Sequence, residues 1–242
     1  MANSIHRPVY VVGASRGDTA PEKSEISQVR MHILQNINGA EIFDPGVVRD
    51  FVKTRQQREV DKFDEVWEGV YVVPPLARNP HQDVATAISG ILFNVIDLEN
   101  RGRVHCGANV SDRRTNWEHN YRCPDVVVVL KGGRAIDCGT HWLGGPDFLV
   151  EVESPREQAV RKIPFYSKLQ VREFLIIHGE TRQLQLYRLD GSQLVLVEPT
   201  DLKGAKWLVS EVVPLAFRRK SVRRKARTEV MRTDGVSGTW TI

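Results

Sequence analysis

The sequence predicts an α/β fold: a central mixed β-sheet flanked by helices. Three observations carry this. "CPDVVVVLKGG" is a continuous β-branched run bounded by Pro124 and two glycines, the signature of a fully buried strand. "PDFLVEVESP" is a second apolar strand soon after it. "NPHQDVATAISGILFNVIDLEN" repeats Val84, Ile88, Ile91, Leu92, Val95 and Ile96 at three- and four-residue spacing, which is one buried face of a helix. The order of strand, helix, several strands, helix and more strands is met most economically by one mixed sheet with helices on its faces.

The elements follow in order. "SEISQVRMHILQN" puts Ile26, Val29 and Ile33 on one helical face, with Ser24 as N-cap. "FDPGV" breaks the chain, and "DFVKTRQQREVDKF" reads as a second, mostly polar helix. Residues 1–59 therefore read as a partly helical N-terminal extension. "DEVWEGVYVVPP" is a strand stopped by Pro74 and Pro75. The long helix comes next, then "GRVHCGANV" as a strand and "SDRRTNWEHN" as a loop. After "PDFLVEVESP" a helix is expected from about Ser154 to Leu169. "REFLIIHG", "RQLQLYRLDG" and "SQLVLVEP" are successive strands joined by tight turns. The core domain spans 60–217, and 218–242 reads as a basic, disordered C-terminal tail.

The 242 residues are 41% hydrophobic and 26% charged, ordinary for a soluble domain. No run approaches the roughly 18 apolar residues of a membrane span, so no membrane partner is expected. The N-terminus lacks the regions of a signal peptide. Cys106, Cys123 and Cys138 are too few and too scattered for a disulfide framework or a zinc knuckle. They read as free thiols of a cytoplasmic protein. The net charge of +4 is uneven: residues 218–242 hold eight Lys/Arg and two Asp/Glu, leaving 26 basic and 28 acidic residues before them. Arg218, Arg219, Lys220, Arg223, Arg224 and Lys225 would grip nucleic-acid phosphates through counterion release. The plainer reading is a solvated tail that aids solubility.

The strand "PDFLVEVESP" carries two acids, and carboxylates are rarely buried unless paired or bound to a metal. Alternation puts Glu151 and Glu153 on one face, with Cα atoms about 6.6 Å apart. Asp147 shares that face but lies about 13 Å from Glu151, so it reads as a turn residue. A closer partner must come from a neighbouring strand, about 4.8 Å away. Asp125 opens "CPDVVVVL", and pairing of the two strands would bring it near Glu151. Two such carboxylates suit Mg²⁺, which binds through one or two carboxylates and keeps several waters. Lys162 follows and would reach back to orient a water or stabilise developing charge. Asp125 as a turn cap and Glu151 paired with Arg172 remain open, as do Arg161 and Lys168 as rival cations. Pro164 suits a first helical turn, which would set Lys162 at the start of its helix.

These pieces, in order, resemble the Uma2 family of restriction endonucleases within the PD-(D/E)xK nuclease superfamily: "WEGVYVVPP", "HQDVATAISGIL", "YRCPDVVVVL", "PDFLVEVESP", "RKIPFYSKL" and "VREFLIIHGETRQLQLYRL". The resemblance implies a restriction-endonuclease-like core, with Asp125 and Glu151 as metal ligands and Lys162 as the lysine moved from the strand to the following helix. It sets Glu153 at the third position of the (D/E)-x-K element, as a supporting acid or a further metal holder. It matches His81 to the histidine that starts the family's first long helix, and Glu68 to an acidic turn position.

The expected function is hydrolysis of DNA phosphodiester bonds by a metal-activated water, with Mg²⁺ as cofactor and Mn²⁺ as a substitute. Cutting both strands would favour a symmetric homodimer. The rival readings are a catalytically inactive binding module of the same fold, motivated by Pro164 and Glu153, and a nuclease acting on RNA.

Overall fold

A computed structural model of the chain describes residues 40–42, 45–154 and 159–242. The helix expected over "SEISQVRMHILQN" lies outside the described residues. The chain divides into two compact units, 1–76 and 77–242.

In the first unit, helix α1 (Pro45–Gln57) accompanies an antiparallel sheet of β1 (Ala40–Ile42), β3 (Val70–Val73) and β2 (Glu65–Trp67), in that order. "DEVWEGVYVVPP" is thus a hairpin rather than one strand. Glu68 (φ 51°) and Gly69 (φ 90°) form a two-residue turn of the primed type, whose twist matches the flanking strands. Asp64 is buried, and accepts from Arg55 Nη2 at 2.7 Å (Oδ1) and from the Tyr71 hydroxyl at 2.5 Å (Oδ2). That pairing offsets the desolvation of its charge.

The second unit holds the rest. Its long strands are β4 (Gly102–Cys106), β7 (Val126–Leu130), β10 (Phe148–Glu153), β11 (Glu173–His178), β12 (Leu184–Asp190) and β13 (Gln193–Leu196). They form one sheet in the order β13-β12-β11-β10-β7-β4. Only β10 and β11 run parallel, so the sheet is mixed as expected. A short ladder in the order β6 (Tyr121–Arg122), β5 (Val110–Ser111), β9 (Trp142–Leu143), β8 (Ile136–Asp137) accompanies it.

Helix α2 (Asn79–Leu92) starts with Pro80 in its first turn and continues as a π-helical turn over Phe93–Asp97. Its buried face, Val84, Ile88, Ile91, Leu92, Val95 and Ile96, packs with Val126, Val128, Phe148, Val150 and Val152. On the other face of the sheet, Phe165, Tyr166 and Leu169 cluster with Val127, Val129, Leu149, Phe174 and Ile176.

A parallel pair needs a crossover, and here it is short. The single helix expected from Ser154 to Leu169 is instead a 3₁₀ turn, Ala159–Lys162, and helix α3, Ile163–Lys168; residues 155–158 lie outside the described set. Pro164 has no N–H to donate, so it occupies the first turn of α3 rather than an interior position.

The expectation of a disordered tail is corrected. Residues 218–242 belong to a five-stranded antiparallel sheet: β14 (Thr200–Leu202), β15 (Ala205–Val209), β16 (Leu215–Val222), β17 (Lys225–Arg232) and β18 (Thr239–Thr241). Charge counting misses why. Val230, Trp240 and Ile242 join Leu215 and Phe217 in the main core, and Glu229 pairs with both Arg218 and Lys220. The expected boundary at 217/218 falls inside β16.

Val230 is fully buried. Val230→Ala removes two methyl groups and leaves a cavity, which should cost about 2 kcal/mol. Urea unfolding measures it; a midpoint unchanged from the parent would mean that this segment is not part of the core.

Candidate active site

The register of β7 against β10 builds the site. Val126 pairs with Val150 and Val128 with Phe148, so Asp125 stands one step beyond the ladder, opposite Glu151. Residues opposite each other share a face of the sheet. Val127 and Leu149 fix which one: the face covered by α3. The Asp125 side chain also ends the ladder, because its Oδ2 accepts the Val152 N–H at 2.7 Å. His81 Nε2, from the first turn of α2, lies 3.4 Å from the same oxygen. The Asp125 side chain remains 23% exposed, so it borders solvent while tied to the strand.

Glu151 is deeper, with its side chain 7% exposed. Lys162 Nζ donates to its Oε1 at 2.7 Å, and the Tyr166 hydroxyl donates to the same oxygen at 3.1 Å. Two donors on one oxygen fix the plane of the carboxylate. Lys162 is itself buried, as the last residue of the 3₁₀ turn and the cap of α3. The kink that Pro164 imposes therefore turns Lys162 back onto the sheet. Asp125, Glu151, Lys162 and His81 are brought together.

The other candidates go elsewhere. Glu153 Oε1 accepts the Ala159 N–H at 3.0 Å, so this acid caps the turn that delivers Lys162. Glu68 sits at the β2–β3 turn of the first unit, in the left-handed region. Lys168 pairs with Asp112 at 2.8 Å, which removes it as a rival to Lys162. Arg172 pairs with Asp147, not Glu151, at 3.2 Å. Asp147 stands in the bend before β10, as expected of a turn residue, and is buried. It also accepts the Leu130 N–H at 2.8 Å, and a side chain at Gly133 would collide with its carboxylate.

Two groups escaped the sequence reading. Tyr166 is fully buried and bonded to Glu151. Its place two residues after Pro164 is a signal only once α3 is known to start at Ile163. Glu173, fully buried at the start of β11, accepts from Arg188 Nε at 2.7 Å, from the Glu211 N–H at 3.0 Å and from the Ser210 hydroxyl. It ties the central sheet to the loop after β15 and has no place in the site.

Residues 50–221 match the model of the Uma2 family, described as "Putative restriction endonuclease". The chain belongs to the Uma2 family. The Uma2 match runs from α1 into β16 and contains Asp125, Glu151, Lys162 and His81. No curated protein matches the chain. A crystal structure described as "a putative nuclease belonging to DUF820", from Anabaena variabilis ATCC 29413, is 15% identical, with a TM-score of 0.45 over 55% of this chain and 75% of that one. That likeness is too slight to bear on the chemistry. Among the described residues, no group of three or more His, Cys, Asp or Glu is placed to hold a metal ion. In this Uma2 chain the donors at the site are thus the two carboxylates, with His81 against one of them.

Removing one member of a buried ion pair strands the other and costs about 3–5 kcal/mol. Lys162→Met should fall in that range, and the double variant Glu151→Gln/Lys162→Met should lose at least about 1 kcal/mol less than the sum of the singles. Additive losses in denaturant titrations would mean that the two side chains do not interact.

Proposed function

We propose that this chain is a Mg²⁺-dependent endonuclease that hydrolyses phosphodiester bonds of DNA. The observation that carries the reading is the register that sets Asp125 opposite Glu151, with Lys162 Nζ 2.7 Å from Glu151. Membership of a family described as "Putative restriction endonuclease" supports the reaction class. The donor set fits the metal: hard carboxylate oxygens on neighbouring strands, one side chain bordering solvent, suit an ion that binds through one or two carboxylates and keeps its waters. Asp125 and Glu151 would hold Mg²⁺, which when bound polarises a phosphoryl oxygen and lowers the pKa of water.

The chain's own groups do the rest. The Val152 N–H and His81 hold the Asp125 carboxylate in place. Tyr166 and Lys162 hold that of Glu151. The Lys162 ammonium places a positive charge beside the site, where it would stabilise negative charge developing on the phosphoryl oxygens. Its burial strengthens that effect, because little water screens it.

One observation favours a second reading, an inactive binding module of the same fold. Lys162 and Glu151 already satisfy one another, and Glu153 serves as a cap, so the group is also a sound structural pair.

Cleavage assays separate the two. The native chain with Mg²⁺ or Mn²⁺ should cut plasmid DNA, and chelator should abolish it. Lys162→Ala should slow cleavage by about 10²–10³-fold, the scale of one lost electrostatic group. Glu151→Ala should reduce it at least as far. Cleavage by Glu151→Ala equal to the parent's, or none by the native chain, would overturn the proposal. Cleavage of RNA with DNA left intact would transfer the substrate class.

A further inference from the structure

We propose that the β16–β17 hairpin is an arm that grips the backbone of duplex DNA, joined to the candidate active site by Arg182 and Arg219. The identity of the ligand rests on the nuclease reading; the surface and its test do not.

The charge is concentrated and largely unmatched. Arg218, Arg219, Lys220, Arg223, Arg224, Lys225 and Arg227 face a single acid, Glu229, between residues 218 and 229. Glu229 is taken by Arg218 and by Lys220 at 2.7 Å. Burial pushes its carboxyl upward, but these bonds hold it below the usual carboxylate range. Among the described residues, no carboxylate pairs with Arg223, Arg224, Lys225 or Arg227. Arg227 stands directly across from Lys220, an unfavourable arrangement of like charges in a sheet.

The turn adds a second observation. Val222 pairs with Lys225, so the loop is Arg223-Arg224, with φ at 49° and 65°. Both central residues of this primed turn need positive φ, where Asn-Gly is preferred and arginine is disfavoured. The sequence keeps two cations at a position that costs backbone strain, the kind of outlier that clusters at working sites.

The arm is continuous with the site. Arg219 Nε donates to Thr181 O at 2.8 Å. The neighbouring Arg182 is 6% exposed and donates from Nη1 to Gly179 O at 2.6 Å and to Pro80 O at 3.4 Å. Its Nε is buried without a hydrogen-bond partner among the described residues. Burial and the like charge of Arg227 pull its pKa down, against Asp83. A methyl group at Gly179 would lie 3.4 Å from His81 Cα, and His81 reaches Asp125. A cavity of about 490 Å³ beside the hairpin stem is lined by Glu153, His178, Lys206, Arg218 and Arg219, among others. Positive charge thus runs from the carboxylate pair to the tip.

Shape and chemistry favour duplex DNA. The ribbon extends about 10 Å beyond Lys220, and the B-form major groove, about 12 Å wide, admits a two-stranded ribbon. The A-form RNA groove does not. A membrane-binding hairpin would present large apolar side chains at its tip; here Val222 is the one large apolar residue between Arg218 and Arg227.

Fluorescence anisotropy of a labelled duplex with the full-length chain in chelator, across a salt series, tests this without any cleavage. Changing Arg223, Arg224 and Lys225 to Gln together should flatten the log–log salt slope by between about two and three, at about 0.9 per phosphate contact. Affinity at low salt should fall at least tenfold. A second variant guards against misfolding: Arg223→Asn/Arg224→Gly suits the turn, so it should melt at a higher temperature and yet bind DNA more weakly. An unchanged slope in both variants would overturn the proposal. So would loss of binding to vesicles of equal parts phosphatidylserine and phosphatidylcholine with DNA binding intact, or equal binding of duplex RNA. A chain that binds through the arm in chelator but does not cut when Mg²⁺ or Mn²⁺ is supplied would refute the nuclease reading alone. One that cuts but ignores these changes would refute the arm alone.

Discussion

The bond from Lys162 to Glu151 is the constraint on which the site depends. A carboxylate in the middle of a sheet must find a cation or a set of donors, because its desolvation is otherwise prohibitive. Strand neighbours cannot supply one, since Val127, Leu149 and Ile176 surround that face. The cation must therefore come from the crossover between β10 and β11. Pro164 ends the 3₁₀ turn and starts α3 at that point, which leaves Lys162 at the cap and its side chain over the sheet. Glu153 holds the preceding turn through Ala159, and Tyr166 closes over the carboxylate from the helix. The two acids of one strand thus have separate tasks: Glu151 faces the site, and Glu153 shapes the loop that serves it.

Asp125 shows the same economy. Its carboxylate takes the Val152 N–H that the ladder no longer reaches, so the end of β7 is fixed by the residue that faces the site. His81 approaches from the start of α2, whose packing is set by an uninterrupted apolar face on the other side of the sheet. Three elements of separate origin thus converge on the end of the β7–β10 pair. Convergence from separate, rigid elements is how a fold holds reactive groups in place before substrate arrives.

Much of this was legible in the sequence, and the reasons are physical. Period-two alternation placed Glu151 and Glu153 on one face, and the length of a strand excluded Asp147. The pairing of two apolar strands named Asp125. The apolar repeat of α2 was too regular to mistake. The failures have a common cause: they concern residues whose partners lie far off in the chain. Glu173 reads as one polar letter before an apolar run, and nothing local announces Arg188 and Ser210. The tail looked disordered because seven of the ten residues from Arg218 to Arg227 are basic, while the apolar Val230, Trp240 and Ile242 are scattered. Their packing on Leu215 and Phe217 outweighs the charge. The same ordering turns a diffuse positive tail into a two-stranded ribbon with defined faces.

The central claim is that Asp125 and Glu151 together hold one divalent ion. Calorimetric titration of the full-length chain with Mn²⁺ and Mg²⁺ tests it most directly, since it asks nothing of substrate or turnover. The account predicts one site per chain, lost in Asp125→Asn and in Glu151→Gln while both variants stay folded. Binding that survives both substitutions, or none by the native chain at millimolar metal, would contradict it.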